Sequence, residues 1–268
     1  MSGLFKAAAI QMVSGPSVQE NLSMAASLIA DAVAQGANVV ALPEYFCLMG
    51  MTESDKVAVR EAPGEGPIQD FLAETAAKHA IWLLGGTIPL ACPDADRVRN
   101  SLLVYDDQGQ CVARYDKIHL FGFDNGVEVY RESNTIEAGD KPVAVHSPYG
   151  RIGLSICYDL RFPELYRSLL PVEMIVVPSA FTATTGQAHW DTLVRARAVE
   201  NLAYVIAPAQ GGVHANGRRT YGHSMIVDPW GRILGELPEG EGVVVAEIDP
   251  TYQARVRTSL PALEHRVI

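Results

Sequence analysis

Cysteine is scarce in this sequence, four among 268 residues. Cys47, Cys92, Cys111 and Cys157 form no Cys-x-x-Cys pair and no Cys/His spacing suited to a metal. That argues against a disulfide framework or a zinc module, and free thiols in a reduced, cytoplasmic protein are expected. Basic charge is short too: 21 Lys+Arg stand against 31 Asp+Glu, a formal net charge of −10. Such a balance disfavours a nucleic-acid groove or an anionic membrane surface as partner and leaves small molecules or proteins. Long apolar runs are missing as well. Stretches such as Ala37 to Leu42 and Met174 to Val177 fall far short of the ~18–20 residues of a membrane span. Met1-Ser-Gly-Leu-Phe-Lys6 lacks the charged and long apolar regions of a secretory leader, so none is expected. There is no His-x-His, no His-Glu-x-x-His, no Gly-x-x-x-x-Gly-Lys and no strand-linked Gly-x-Gly-x-x-Gly. No metal and no nucleotide or other cofactor is expected on that ground.

What is present suits a folded α/β chain. The composition, 48% hydrophobic and 19% charged, supports a sizeable core. Leu4 to Val13 reads as a buried strand. Ser17 opens a helix with Glu20 at capping-box spacing, and Gly36 closes it. Asn38 to Leu42 is the next strand, so the opening forty residues form a βαβ unit. A second helix over about Ile68 to His79 feeds a strand, Ile81 to Leu84. Hairpins follow at Ser101–Tyr105/Cys111–Tyr115, Val143–His146/Arg151–Cys157 and His223–Asp228/Arg232–Leu237. Strands at Met174 to Pro178 and Tyr204 to Pro208 flank a helix near Ala188 to Val199, and Gly242 to Ile248 is a last strand. No repeat or linker interrupts the chain, so residues 1–268 are expected to form a single domain with parallel and antiparallel pairing mixed. The pattern alone does not say whether that means one sheet or two.

Three polar residues stand at strand ends, where sites in α/β folds gather. Glu44 follows Val39-Val-Ala-Leu-Pro43, Lys117 follows Arg114-Tyr-Asp116, and Cys157 ends Ile152-Gly-Leu-Ser-Ile156. Each has an ordinary explanation alone: a Glu in a loop, a surface Lys, a Cys packed as a small hydrophobe. Gly153-Leu-Ser155-Ile-Cys157 also approaches a Gly-x-Ser-x-Gly elbow, but Cys fills the final Gly position, which argues against a serine hydrolase. Together the three suit amide hydrolysis, which needs a nucleophile, a proton carrier and a donor to the tetrahedral oxyanion.

In order and at separations of 73 and 40 residues, Leu42-Pro-Glu44, Tyr115-Asp-Lys117-Ile-His-Leu120 and Gly153-Leu-Ser-Ile-Cys157-Tyr-Asp-Leu-Arg-Phe-Pro-Glu164 resemble the Glu, Lys and Cys motifs of the nitrilase (carbon–nitrogen hydrolase) superfamily. The resemblance implies a four-layer αββα sandwich with two mixed sheets. It implies Cys157 as nucleophile, Glu44 as proton carrier, and Lys117 with the backbone N–H of Tyr158 as oxyanion donors. It also implies a second glutamate between Lys117 and Cys157, for which Glu128, Glu132 and Glu137 compete; Tyr130-Arg-Glu132-Ser is most similar to the family pattern, so Glu132 is expected to hold Lys117.

Tyr158-Asp-Leu-Arg-Phe-Pro-Glu-Leu165, Pro178-Ser-Ala-Phe181 and Tyr221-Gly-His-Ser-Met-Ile-Val-Asp-Pro-Trp-Gly231 are similar to the deaminated-glutathione amidase branch and to the related omega-amidases. Both act on amides of one acyl group, and the catalytic residues do not separate them; the Ala209-Gln-Gly-Gly-Val-His-Ala-Asn-Gly-Arg-Arg-Thr220 loop is more similar to the first, which implies deaminated glutathione as substrate. A general aliphatic amidase, a nitrilase or a catalytically silent binding module on the same scaffold are the alternatives. For a substrate carboxylate the candidates are Arg161, Thr182, Thr185, Arg218 and Arg219, with Phe181 and Tyr158 as pocket walls; Arg161 could instead pair with Asp159 or Glu164. His119 could share the Lys117 face, Cys47 is expected to pack, and Arg195 and Arg197 to form ion pairs. The resemblance also implies a homodimer, or a higher homo-oligomer, joined through about Pro163 to Leu170 and residues 250–268. There Val256, Leu260, Leu263 and Val267 would form an apolar stripe at helical spacing.

Overall fold

The computed structural model describes residues 3–267. Met1, Ser2 and Ile268, on which the leader and tail expectations partly rest, lie outside the described residues. Strand β1 (Phe5–Gln11), helix α1 (Val18–Ala34) and strand β2 (Val39–Ala41) make the opening βαβ unit. Helices α2 (Asp55–Ala58) and α3 (Pro67–His79) lead into β3 (Trp82–Leu84), β4 (Ile88–Ala91), β5 (Val98–Tyr105) and β6 (Cys111–Asp116). A separate hairpin, β7 (Gly122–Asp124) and β8 (Val129–Arg131), precedes a 3₁₀ turn at Glu132–Asn134. The second half runs β9 (Ala144–Ser147), β10 (Gly150–Leu154), a 3₁₀ turn (Cys157–Arg161), α4 (Pro163–Leu169) and β11 (Met174–Val176). It ends with α5 (Ala183–Asn201), β12 (Tyr204–Ala207), β13 (Ser224–Val227), β14 (Ile233–Leu237), β15 (Gly242–Ile248) and α6 (Pro250–Ser259).

These strands form two mixed sheets. One has the order β15-β1-β2-β3-β5-β4 with β6 paired to β5; the other is β14-β13-β12-β11-β10-β9. In each the centre is parallel, β1–β2–β3 and β10–β11–β12, because helical crossovers return the chain in the same direction. Hairpins supply the antiparallel flanks. Strand β1 shows how the layers stack. Ala7 and Ala9 point into a core shared with the second sheet and its helices, where Ile152, Leu154, Tyr166 and Trp190 are buried. Ala8 and Ile10, on the opposite face, pack on Ala25, Ile29 and Ala32 of α1 and Ile68, Leu72 and Ala76 of α3. Each fully buried Ile or Leu there contributes roughly 1.5–3 kcal/mol. Helices therefore cover the outer face of each sheet, and the expected αββα sandwich is the architecture found.

Two boundaries differ instructively. The helix expected near Ala188 begins at Ala183, because the Thr182 hydroxyl caps it by accepting the Thr185 N–H at 3.2 Å. The tail stripe does not form. Helix α6 stops at Ser259, since Pro261 has no N–H and pushes Leu260 out of helical geometry (φ −131°, ψ 81°). Val256 is buried against its own chain, whereas Leu260 and Val267 are exposed.

Candidate active site

The loop after β2 delivers Glu44. It turns so tightly that a Cβ on Gly86 (φ +58°) would sit 2.3 Å from the Pro43 carbonyl oxygen, so only glycine fits beside it. Lys117 leaves the end of β6, and Glu132 starts the 3₁₀ turn beyond the β7–β8 hairpin. Cys157 sits where β10 breaks into the second 3₁₀ turn. Its φ of 47° is a left-handed backbone that a non-glycine residue adopts only under restraint. Two groups supply that restraint: the Cys157 N–H donates to the Pro178 carbonyl at 2.9 Å, and Asp159 clamps the turn.

The charged groups meet out of water. Lys117 is wholly buried, with Glu44 1% and Glu132 8% exposed. The Lys117 ammonium donates to Glu44 Oε1 at 2.9 Å and to Glu132 Oε1 and Oε2 at 3.0 and 2.8 Å. Burial by itself would lower the Lys117 pKa, but Glu132 and Glu44 outweigh it and hold the ammonium above its ordinary value. Burial works to raise Glu132, and Lys117 reverses that, so Glu132 titrates below the usual carboxylate range. The Cys157 thiol is pushed well above its ordinary value, first by burial and then by Glu44, with Lys117 pulling the other way. It rests as a neutral thiol. The two carboxylates are satisfied unequally. Glu44 Oε1 also receives Asn100 Nδ2 at 2.9 Å, whereas Glu44 Oε2 is buried with no hydrogen-bond partner among the described residues.

A pocket opens at this group, lined by Cys157, Glu132, Tyr158, Arg161, Phe181 and Arg218, with Phe121, Ala180, Thr182 and Thr185 completing it. The Arg161 guanidinium lies 5.7 Å from the Tyr158 ring centroid and 5.5 Å from that of Phe181, beside His189 Nδ1 at 3.3 Å. Neither Asp159 nor Glu164 is its partner. Arg218 donates through Nη2 to the Ala180 carbonyl at 2.9 Å and lies 5.2 Å from the Tyr130 ring centroid, leaving its buried Nε unpartnered. Arg219 must be removed from the candidates: it is exposed and outside the pocket, because the β-bridge between Thr182 and Thr220 aims alternate residues of that loop oppositely. Glu128 instead accepts from the Thr184 hydroxyl, and Glu137 pairs with Arg99. Cys47 packs in the outer core. Arg195 pairs with Asp191, and Arg197 bonds Glu200 and the Leu160 carbonyl. Among the described residues no cluster of His, Cys, Asp and Glu suits a metal ion.

Sequence reasoning missed the braces. Asp159 accepts the Ile156 N–H at 2.8 Å and the Tyr115 hydroxyl at 2.7 Å on one oxygen. His119 reaches the other through its N–H at 3.1 Å and Nδ1 at 2.7 Å. Asp159 thereby ties the Cys157 turn to Tyr115, near the end of β6, and to His119 in the segment beyond it, two residues to either side of Lys117. The alternation Tyr115-x-Lys117-x-His119 was a visible signal of that. Tyr45 and Asn100, which touch the two glutamates, carried none.

Residues 6–258 match the family model "Carbon-nitrogen hydrolase". The chain is 45% identical to a Synechocystis protein named deaminated glutathione amidase, over 98% of both chains. It is 38% identical to a protein of the same name from Yersinia enterocolitica, over 96% of this chain and 91% of that one. The crystal structure of Saccharomyces cerevisiae Nit3, a member of branch 10 of the nitrilase superfamily, superposes with a TM-score of 0.91 at 32% identity, covering 100% of this chain and 98% of that one.

Proposed function

The chain belongs to the carbon–nitrogen hydrolase family, and from that membership we propose that it hydrolyses deaminated glutathione to 2-oxoglutarate and cysteinylglycine through a thioester on Cys157. The observation that carries the chemistry is the buried, unpartnered Glu44 Oε2 in the same site as the neutral Cys157 thiol. In this mechanism Glu44 takes the Cys157 proton as sulfur attacks the amide carbon. Lys117 and the Tyr158 N–H stabilise the oxyanion, and Glu44 returns the proton to the departing amine. A water deprotonated by Glu44 then cleaves the thioester, releasing the acid and restoring the thiol. Glu132 holds the ammonium in place throughout.

The substrate assignment is supported by the 45% relative and by the two guanidinium groups in the pocket. At a net charge of −10 the protein does not attract an anion over distance, so recognition must be local. Arg161→Ala should lower kcat/KM on acidic amides roughly ten- to a hundredfold, the cost of one charge-assisted hydrogen bond of about 1.5–3 kcal/mol. A neutral amide should be hydrolysed as before. Equal losses on both would favour a general aliphatic amidase.

A second reading is an omega-amidase releasing ammonia from 4-carbamoyl-2-oxobutanoate, which would pass through the same acyl group on Cys157. Release assays on deaminated glutathione, 4-carbamoyl-2-oxobutanoate, simple amides and a nitrile distinguish these readings, and no turnover of any would leave the binding module. We also propose a reduced, cytoplasmic protein acting as one catalytic domain, in keeping with its four free cysteines. Two copies are proposed to pair across α4 and residues 250–267, where Leu260 and Val267 are exposed and Arg266 reaches the Arg167 carbonyl. Light scattering at micromolar concentration should find a dimer; a 28.9 kDa particle alone would refute it.

A further inference from the structure

We propose that Tyr45 is a positioning residue of the hydrolytic reaction: its hydroxyl locks Glu132 into a purely structural role, leaving Glu44 as the site's one available base. The proposal rests on the amide-hydrolase reading above. Its basis is how the two carboxylates divide their donors. Glu132 Oε1 receives the Tyr45 hydroxyl at 2.9 Å and Lys117 at 3.0 Å; Oε2 receives Lys117 at 2.8 Å and the Phe121 N–H at 2.7 Å. Four contacts occupy both oxygens. Glu44 spends Lys117 and Asn100 on one oxygen and keeps the other clear. A carboxylate saturated with donors is a poor proton acceptor, so Glu132 is withheld from proton transfer.

Tyr45 is built to hold that contact. It lies directly after Glu44, and its backbone is forced to φ 57°, which turns the ring back towards Glu132. The Tyr45 N–H is anchored on the Thr87 hydroxyl at 2.9 Å. Lys56 Nζ lies over the ring, 5.4 Å from the centroid, and is itself paired with Glu53. The phenol stays protonated: burial, then Glu132 and Glu44, push it well above its ordinary value, so it can only donate to the carboxylate. The groups facing Glu132 are thus Lys117 from β6, Tyr45 from the loop after β2, the Phe121 N–H, and Arg218 and Cys157 across the pocket. Near Tyr45 stand Glu53 and Lys56.

Tyr45→Phe keeps the ring and deletes the donor. The variant is assayed as purified enzyme on whichever amide the wild type turns over. The expected result is a roughly tenfold fall in kcat with KM within about twofold, since the oxyanion donor loosens while the pocket wall remains. The acid limb of the kcat profile should move to higher pH, because Glu132 has lost a donor that favours its charged form. Tyr45→Leu, which also removes the ring, should lower thermal stability further yet give no larger loss of kcat than Tyr45→Phe. An unchanged kcat and acid limb in Tyr45→Phe, or kcat falling in step with stability across the two variants, would overturn the proposal. A wild type with no amide hydrolysis would instead overturn the functional reading on which it rests.

Discussion

Cys157→Ala should abolish turnover while the purified protein stays folded. The side chain is 6% exposed and the change removes one sulfur atom, so a loss of about 1 kcal/mol from the small void is expected. The hydrogen bond that shapes the turn, from the Cys157 N–H to Pro178, belongs to the backbone and survives. Asp159 keeps its grip on Ile156, Tyr115 and His119 in the variant. Turnover has no such reserve, because without sulfur no thioester can form. The expected loss is on the order of 10⁴-fold or more in kcat. Cys157→Ser should fail as well. Burial and Glu44 already push the thiol upward, and an alcohol in that place ionises far less readily. The histidine nearest in sequence to Lys117, His119, is committed to Asp159 and so is not a stronger base for the hydroxyl. Product release assayed beside a thermal melt decides the matter. An alanine variant that melts near the wild type and retains activity would remove Cys157 from the proposed mechanism.

Much of this was legible in the sequence where local chemistry decides it. Alternating and helical periodicity located α1, α3 and the β5–β6, β9–β10 and β13–β14 hairpins, since each depends on neighbours a few residues away. The second sheet did not follow from periodicity. A strand such as Met174–Val176 is buried on both faces and looks the same in either arrangement, and only the family resemblance implied two layers. The meeting of Glu44, Lys117, Glu132 and Cys157 was legible through motif order. Their braces were not: the Tyr45–Glu132 contact spans 87 residues and Asn100–Glu44 spans 56. Nothing in the local pattern around Asn100 marks it, because its role is set by which strand lies beside β6. Arg218 and Arg219 were indistinguishable as a pair, and one bridge at Thr220 separates them. In the tail, an apolar spacing suggested a longer helix, and Pro261 ended it.

Lys117→Met should cost both activity and stability, and the stability loss should grow as pH rises through a range where the wild-type contribution is flat. Among the described residues the ammonium is the sole cation bonded to Glu132, whose titration it holds below the usual carboxylate range. A carboxylate lowered in this way stabilises the fold above its ordinary pKa of about 4.3, and that contribution is lost as pH falls through the lowered value. Lys117, raised in the fold, contributes fully below its ordinary value of about 10.4 and loses that contribution only as pH climbs through the raised one. Between roughly pH 5 and 10 the wild-type contribution is therefore flat. Methionine fills most of the lysine volume but carries no charge, so Glu44 and Glu132 remain buried without their counter-ion. Burial, the largest influence on Glu132, then raises it. A raised carboxylate is harmless while protonated and destabilising once pH passes its ordinary value, by up to about 1.4 kcal/mol per pH unit until the folded-state pKa is reached. The variant's deficit should be smallest near pH 4.5 and grow to about 3–5 kcal/mol at pH 7.5, the usual cost of breaking a buried pair. Loss of the oxyanion donor should lower kcat by at least about 10²–10³-fold at every pH. Denaturant midpoints at pH 4.5, 6 and 7.5 test the electrostatic account. A stability deficit of the same size at all three would mean that Lys117 acts by packing alone and that the buried charges do not depend on it.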